Sequence, residues 1–350
     1  MSRLASVFAL NRSGLNVSRG IEALAILAVP FVVLTALDDQ VYMLSAIFGV
    51  LFVALSDPGG EYRERLRAMG GVAIGGTLIT ALGFAVGGGG WGLIVLVAFI
   101  VTLAGGLALQ LGLHRFVAAE LINYWLLVTL GLPASYELSH IATHAWSQAL
   151  AWLIGATVWI VVVFIGWVAR GRASVPSHFP EIPSDSAPIA LTRPLVLFAV
   201  IRAVALSIAV AIAFGFKLPK AYWMPIATLV AMKPSLEQSA LAAEQRLAGA
   251  IIGATTAALF LLTVHDKHAL AIIIVILGAI AASIRGVNYA LYCAAVASTV
   301  LVATDLPHPT NLAAEGRRVA FTFIGVGIGV VVMFIANVIQ KRSTAVPPST

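Results

Sequence analysis

Long apolar runs, broken only by glycine, proline or short polar turns, recur along the whole 350-residue chain. A chain written this way has few folds open to it. Stretches such as Ala271–Ala282 are continuously apolar, without the polar–apolar alternation that a membrane β-barrel strand requires. Lipid offers no partner to free backbone N–H and C=O groups, so such runs must be helices. Charge is equally scarce. Asp, Glu, Lys and Arg make up 10% of the chain and hydrophobic residues 60%, whereas a soluble domain carries about a quarter charged residues. The expected fold class is an all-α polytopic membrane protein.

Measured against the roughly 20 residues that a crossing needs, the runs read as about twelve transmembrane helices in two sets of six. Residues 1–169 form a first membrane repeat and residues 193–340 a second. Between them, 170–192 is a Pro-rich cytoplasmic linker (Pro176, Pro180, Pro183, Pro188), and 341–350 is a cytoplasmic tail. Two runs are short, Val41–Leu55 and Tyr222–Met232, and are expected to meet their partners within the membrane as broken hairpins buried in protein. Six spans per half is an even number, so the halves enter from the same side and form a parallel repeat. With the N-terminus inside, 16 of the 21 Lys and Arg residues fall on or near the cytoplasmic side, Arg202 among them. That bias places both termini in the cytoplasm, and the expected location is the inner membrane. No long apolar core precedes Ile21, so the first span is expected to do its own targeting. The formal charge of +6 is then a matter of topology and implies no nucleic acid. The single cysteine, Cys293, excludes an intrachain disulfide framework.

The repeat is most visible in two hairpins. Lys220–Val264 opens on Tyr222, Trp223 and Pro225, breaks at Lys233-Pro234-Ser235, and resumes with Glu244 and Arg246 before Gly249 and Gly253. A blurred copy spans Val41–Leu82, with a break at Pro58, the step Arg67 to Gly70, and Gly71 and Gly75. The Gly-x-x-x-Gly faces, including Gly325 and Gly329, are expected to let helices approach closely. The second hairpin, with the closing Arg317-Arg318…Gly325 segment, resembles the fusaric acid resistance protein-like family of the aromatic acid exporter superfamily. The resemblance implies a six-plus-six helix fold and export of small aromatic or other organic acids, driven by the proton gradient. It differs from many members in lacking room for a large cytoplasmic domain between or after the halves. A passive organic-anion channel on the same fold, and a non-transporting membrane scaffold, remain as alternatives.

Few residues could carry such chemistry. Arg246, at the start of the Gly-rich helix, could hold a carboxylate through its fork of donors, aided by the positive helix end; it could equally mark the membrane edge. Arg317 runs against the charge bias and should face a cavity or a carboxylate, or pair with Glu315 at the water interface. Trp223 and Pro225 could line an aromatic-substrate site or simply begin a helix in an interfacial belt. Glu120 sits inside a span with no partner nearby in sequence, a costly placement that marks a proton-coupling site; the other reading is a protonated packing residue. His144 is a second candidate for proton relay, or an interfacial hydrogen-bonding residue. No phosphate loop, Ser-His-Asp order or paired in-span carboxylates occur, so no enzymatic activity, cofactor or metal is expected. The expected partners are a small organic anion and the lipid bilayer, with homo-oligomerisation left open.

Overall fold

The computed structural model describes residues 7–36, 40–135, 144–175, 190–219, 222–232, 239–305 and 312–344. They form twelve α-helices: α1 (Val17–Ala36), α2 (Met43–Ser56), α3 (Tyr62–Val86), α4 (Trp91–Leu107), α5 (Leu113–Ser135) and α6 (Ala145–Ala169), then α7 (Arg193–Gly215), α8 (Trp223–Ala231), α9 (Ser239–Thr263), α10 (Lys267–Ile284), α11 (Tyr289–Asp305) and α12 (Leu312–Thr344). Among the described residues the β-structure is a single bridge, Gly60 to Val175. Most of the Pro-rich linker, 176–189, lies outside the described residues.

Outward faces are apolar in continuous stripes. Ile74, Leu78 and Leu82 on α3, Val200, Val204 and Ile208 on α7, and Ile272, Ile276 and Ile280 on α10 are all exposed at helical spacing. Water would not tolerate that wall, whereas lipid requires it. Six segments are long and apolar enough to cross a membrane: Tyr62–Val86, Trp91–Leu111, Arg115–Pro133, Ala145–Ala169, Arg193–Gly215 and Lys267–Ile284. Six of the about twelve expected crossings are thus of spanning length and apolarity among the described residues. The two segments read as short are short indeed. At 1.5 Å per residue, the 14 residues of α2 and the 9 of α8 reach only about 21 and 14 Å of the roughly 30 Å hydrocarbon core. Both are sunk in protein: every residue of α2 but Ala54 and Leu55 is buried.

Helix pairing in the first six recurs in the second six. α2 packs on α6 as α8 packs on α12, and α3 packs on α5 as α9 packs on α11. The first helix of each set lies against the fourth helix of the other, α1 on α10 and α7 on α4. Glycine makes the closest of these contacts. A Cβ at Gly49 would strike the Trp152 carbonyl and one at Gly155 the Ala46 carbonyl, closing α2 on α6. Gly325 likewise meets the Met224 carbonyl, and a Cβ at Gly329 would lie 2.7 Å from that of Ala231, closing α12 on α8. Gly249 and Gly253 press on Ala290, Cys293 and Ala294 of α11. The second-half Gly-x-x-x-Gly faces thus pack as expected, but the first-half face does not. Gly71 has nothing within 4 Å and Gly75 meets only the tip of Ile122. Gly76 and Gly83, under Trp152 and Thr129, make the tight contacts instead.

The halves are also strapped together at the N-terminus. Asn11 and Asn16 N–H groups donate to the Val287 and Ser283 carbonyls at 2.8 and 2.9 Å. Asn288 Nδ2 donates to the carbonyls of Val7 and Ala9 at 3.0 and 2.9 Å. The symmetry is imperfect: α3 packs along α6, whereas α9 and α12 touch lightly and leave a shallow apolar groove lined by Leu247, Ile251, Thr322 and Phe323.

Candidate functional site

α5 touches both halves. It packs on α2, α3, α4 and α8, and each face of it is fixed by a different device. On one side Trp125 stacks between Phe48 and Trp152, with ring centroids 4.7 and 4.9 Å away, while its Nε1 donates to Thr80 Oγ1 at 2.7 Å. Toward α4, Asn123 Nδ2 donates to Thr102 Oγ1 at 3.0 Å. Farther along, Gly131 receives the Tyr222 ring at the start of α8.

The remaining face carries Phe116, Glu120 and Tyr124, one helical turn apart. Glu120 is 3% exposed, and its partner is Arg202, fully buried in the middle of α7. Arg202 Nη2 donates to Glu120 Oε1, and the Tyr124 hydroxyl donates to Glu120 Oε2 at 3.1 Å. The guanidinium carbon stands 5.3 Å from the Phe116 ring centroid, within cation–π range. α4 braces the arrangement, because Gly106 admits the backbone of Ala199 on α7. An ion pair 82 residues apart in sequence therefore joins the two halves inside two candidate spans.

This arrangement is not a stability device. Burying each ion costs several kcal/mol, and mutual attraction repays that only when geometry and remaining hydrogen bonds are complete. Here they are incomplete: among the described residues Arg202 Nε and Nη1 have no hydrogen-bond partner. A donor buried without an acceptor costs about 1–3 kcal/mol, more on a charged group. That expense makes the pair a candidate functional centre.

Glu120 is thus buried as its in-span position demands, and its partner comes from the other half. The reading of Arg202 as a cytoplasmic-side charge is corrected: it sits alone amid the apolar residues of α7. The signal was available, since a solitary charge within an apolar run singled out Glu120 by the same rule. Other candidates are not gathered at this pair. Trp223 and Pro225 are buried in the first turn of α8, with the Trp223 ring 5.2 Å from Tyr222. His144 is exposed just before α6, while Gln148, one turn on, is buried and accepts from Ser45 Oγ. Arg317 is exposed near the start of α12. Arg246 lies on α9, and its side chain, like that of Arg318, falls outside the described residues.

A second buried ion pair went unread. Arg65 Nε and Nη2 donate to Asp57 Oδ1 and Oδ2 at 2.9 and 2.6 Å, a two-pronged bond that closes the turn between α2 and α3. Asp57 Oδ1 also accepts from Gly59 N–H at 3.0 Å. Arg67, taken from the repeat pattern as the counterpart of Arg246, is exposed.

Residues 206–332 match the fusaric acid resistance protein-like family. The match begins four residues after Arg202 and runs through α8–α11 into α12, covering the hairpin on which the resemblance rests. Together with the lipid-facing stripes it describes a multi-pass, transporter-like membrane protein. Comparison with curated proteins and with solved structures finds no match.

Proposed function

We propose that this protein is a secondary transporter that exports small aromatic or other organic acids and couples their passage to protons at Glu120. The observation that carries this reading is the buried Glu120–Arg202 pair, a proton-titratable anion and a cation held between the halves, where substrate binds in carriers built from repeats. The recurring helix pairs support two six-helix repeats set the same way up. Rocking of one on the other would expose the pair to either side in turn. Arg246, about two turns into α9, and Arg317, exposed on α12, serve as anion-attracting ligands along the route, with Trp223 and Pro225 packing the wall between α5 and α8. The charge bias favours an inner-membrane location with both termini cytoplasmic.

A pair shut away from solvent suits a carrier better than an open anion pore. Purified protein in liposomes, challenged with a panel of aromatic and aliphatic acids under an imposed pH gradient, separates the readings. Saturable movement above empty liposomes, with accumulation against a gradient of the acid, is the expected result. Flux that runs only downhill would turn the reading toward a channel, and no flux above empty liposomes would end it.

A further inference from the structure

We propose that Arg202 is the ligand for the substrate carboxylate and that it trades Glu120 for that carboxylate, so that one proton and one monocarboxylate travel together in the same direction. This rests on the transporter reading and adds its substrate class, its ligand and the sense of its coupling; export is then driven by the outward gradient of the acid itself and not by inward proton flow.

Charge neutrality at a buried site decides the sense. With Glu120 ionised, the pair is neutral. An arriving carboxylate would bring a net negative charge into a region where an uncompensated ion costs several kcal/mol. If the pair opens to one side of the membrane and a proton first adds to a Glu120 carboxylate oxygen, the Nη2···Oε1 ion pair breaks and the new O–H can donate to the Tyr124 oxygen. Arg202 is then left with an open Nη1/Nη2 fork, the geometry that matches a carboxylate with two parallel bonds. The substrate anion restores neutrality. Among the described residues Nη1 already lacks a partner, as does Nε, so the guanidinium has donors free for an acceptor that those residues do not supply. Phe116, 5.3 Å from the guanidinium, offers an apolar ring beside the same place. Antiport would require the reverse: substrate bound while Glu120 stays ionised, two anions facing one cation.

Among the described residues the packed helices supply no substitute counter-charge; on α12, which also packs on α7, Arg317 is exposed, and the side chain of His114 on α5 falls outside the described residues. α2, α4 and α8 carry no charged residue. On α3 the charges lie in its opening turns, where Arg63, Glu64 and Arg67 are exposed and Arg65 is paired with Asp57. On α5 Arg115 is exposed, and on α7 so is Arg193. One guanidinium and one proton acceptor balance one carboxylate, which is why the class is monocarboxylates.

The test is calorimetric binding of benzoate to the purified protein in two amine buffers of different ionisation heat, across pH. The wild type is expected to take up about one proton per benzoate bound, with affinity falling about tenfold per pH unit on the alkaline side. Glu120→Gln, which imitates the protonated carboxyl, should bind benzoate with no proton uptake and no pH dependence. The paired variant Glu120→Gln/Arg202→Gln removes both charges without leaving either alone. It should stay folded by size-exclusion chromatography and lose at least tenfold in affinity. Proton release on binding, absence of wild-type binding at millimolar benzoate, or unchanged affinity in the paired variant overturns the proposal. Proton release alongside liposome flux would remove the exchange at Arg202 and leave the transporter reading standing.

Discussion

Arg202→Ala is expected to lower folding stability by about 3–5 kcal/mol, because removing one partner strands the other as a buried charge. Glu120, 3% exposed in the intact pair, would retain the Tyr124 hydroxyl at 3.1 Å but lose its guanidinium partner. The converse change, Glu120→Ala, strands a guanidinium that is already short of acceptors. The two losses should not add. Replacing both members together with glutamine removes the stranded charge in each case, so the paired variant is expected to recover most of the stability lost by either alanine variant. Thermal unfolding in detergent, followed by size-exclusion chromatography, reads the difference directly. Equal losses in single and paired variants would show that volume rather than charge sets the cost.

The second large effect is steric. Gly325→Leu on α12 should prevent α12 from closing on α8, since even a Cβ there collides with the Met224 carbonyl and comes within 2.9 Å of Ala227 Cβ. Backbone cannot yield as a side-chain tip can. The Thr228 hydroxyl, which donates to the Gly325 carbonyl at 2.9 Å, would be displaced as well. Overpacking of this kind costs about 1–3 kcal/mol, and more where backbone is the obstacle. Gly327→Ala, two residues on with nothing within 4 Å of its added Cβ, should be neutral or stabilising by up to about 1 kcal/mol through helix propensity. Comparing the thermal midpoints of the two variants tests the interface on one helix. A loss in Gly327→Ala equal to that in Gly325→Leu would contradict it.

How much of this was legible beforehand depends on the range of each interaction. Composition and apolar runs revealed the membrane fold because they are local sums. The lengths of α2 and α8 were readable because each is bounded by its own tyrosine and proline signals. In the second half, Gly249–Gly253 and Gly325–Gly329 stand in otherwise bulkier sequence, and their faces were clear. In the first half, glycines come in adjacent couples, Gly70-Gly71 and Gly75-Gly76. A one-residue choice rotates the face by about 100°, and only Trp152 on another helix decides for Gly76. Arg65 over Arg67 was decided in the same way by Asp57, at the end of the preceding helix. The central pair was hidden for a stronger reason: each charge was visible as an anomaly, but their meeting depends on α7 lying along α4 of the other half. No spacing rule within either half announces that exchange.

The most direct measurement of the account is a reversible lock across the two halves. In a Cys293→Ser background, Phe116→Cys on α5 and Phe198→Cys on α7 replace two rings whose centroids lie 6.5 Å apart, and a short bis-thiosulfonate can bridge them. A protease site placed within 176–189 lets the halves be separated after treatment. The account predicts that the cleaved halves stay joined, that acid transport in liposomes stops, and that a reductant restores it. Halves that fall apart after bridging, or transport that continues with the bridge in place, would contradict a moving junction at Glu120 and Arg202.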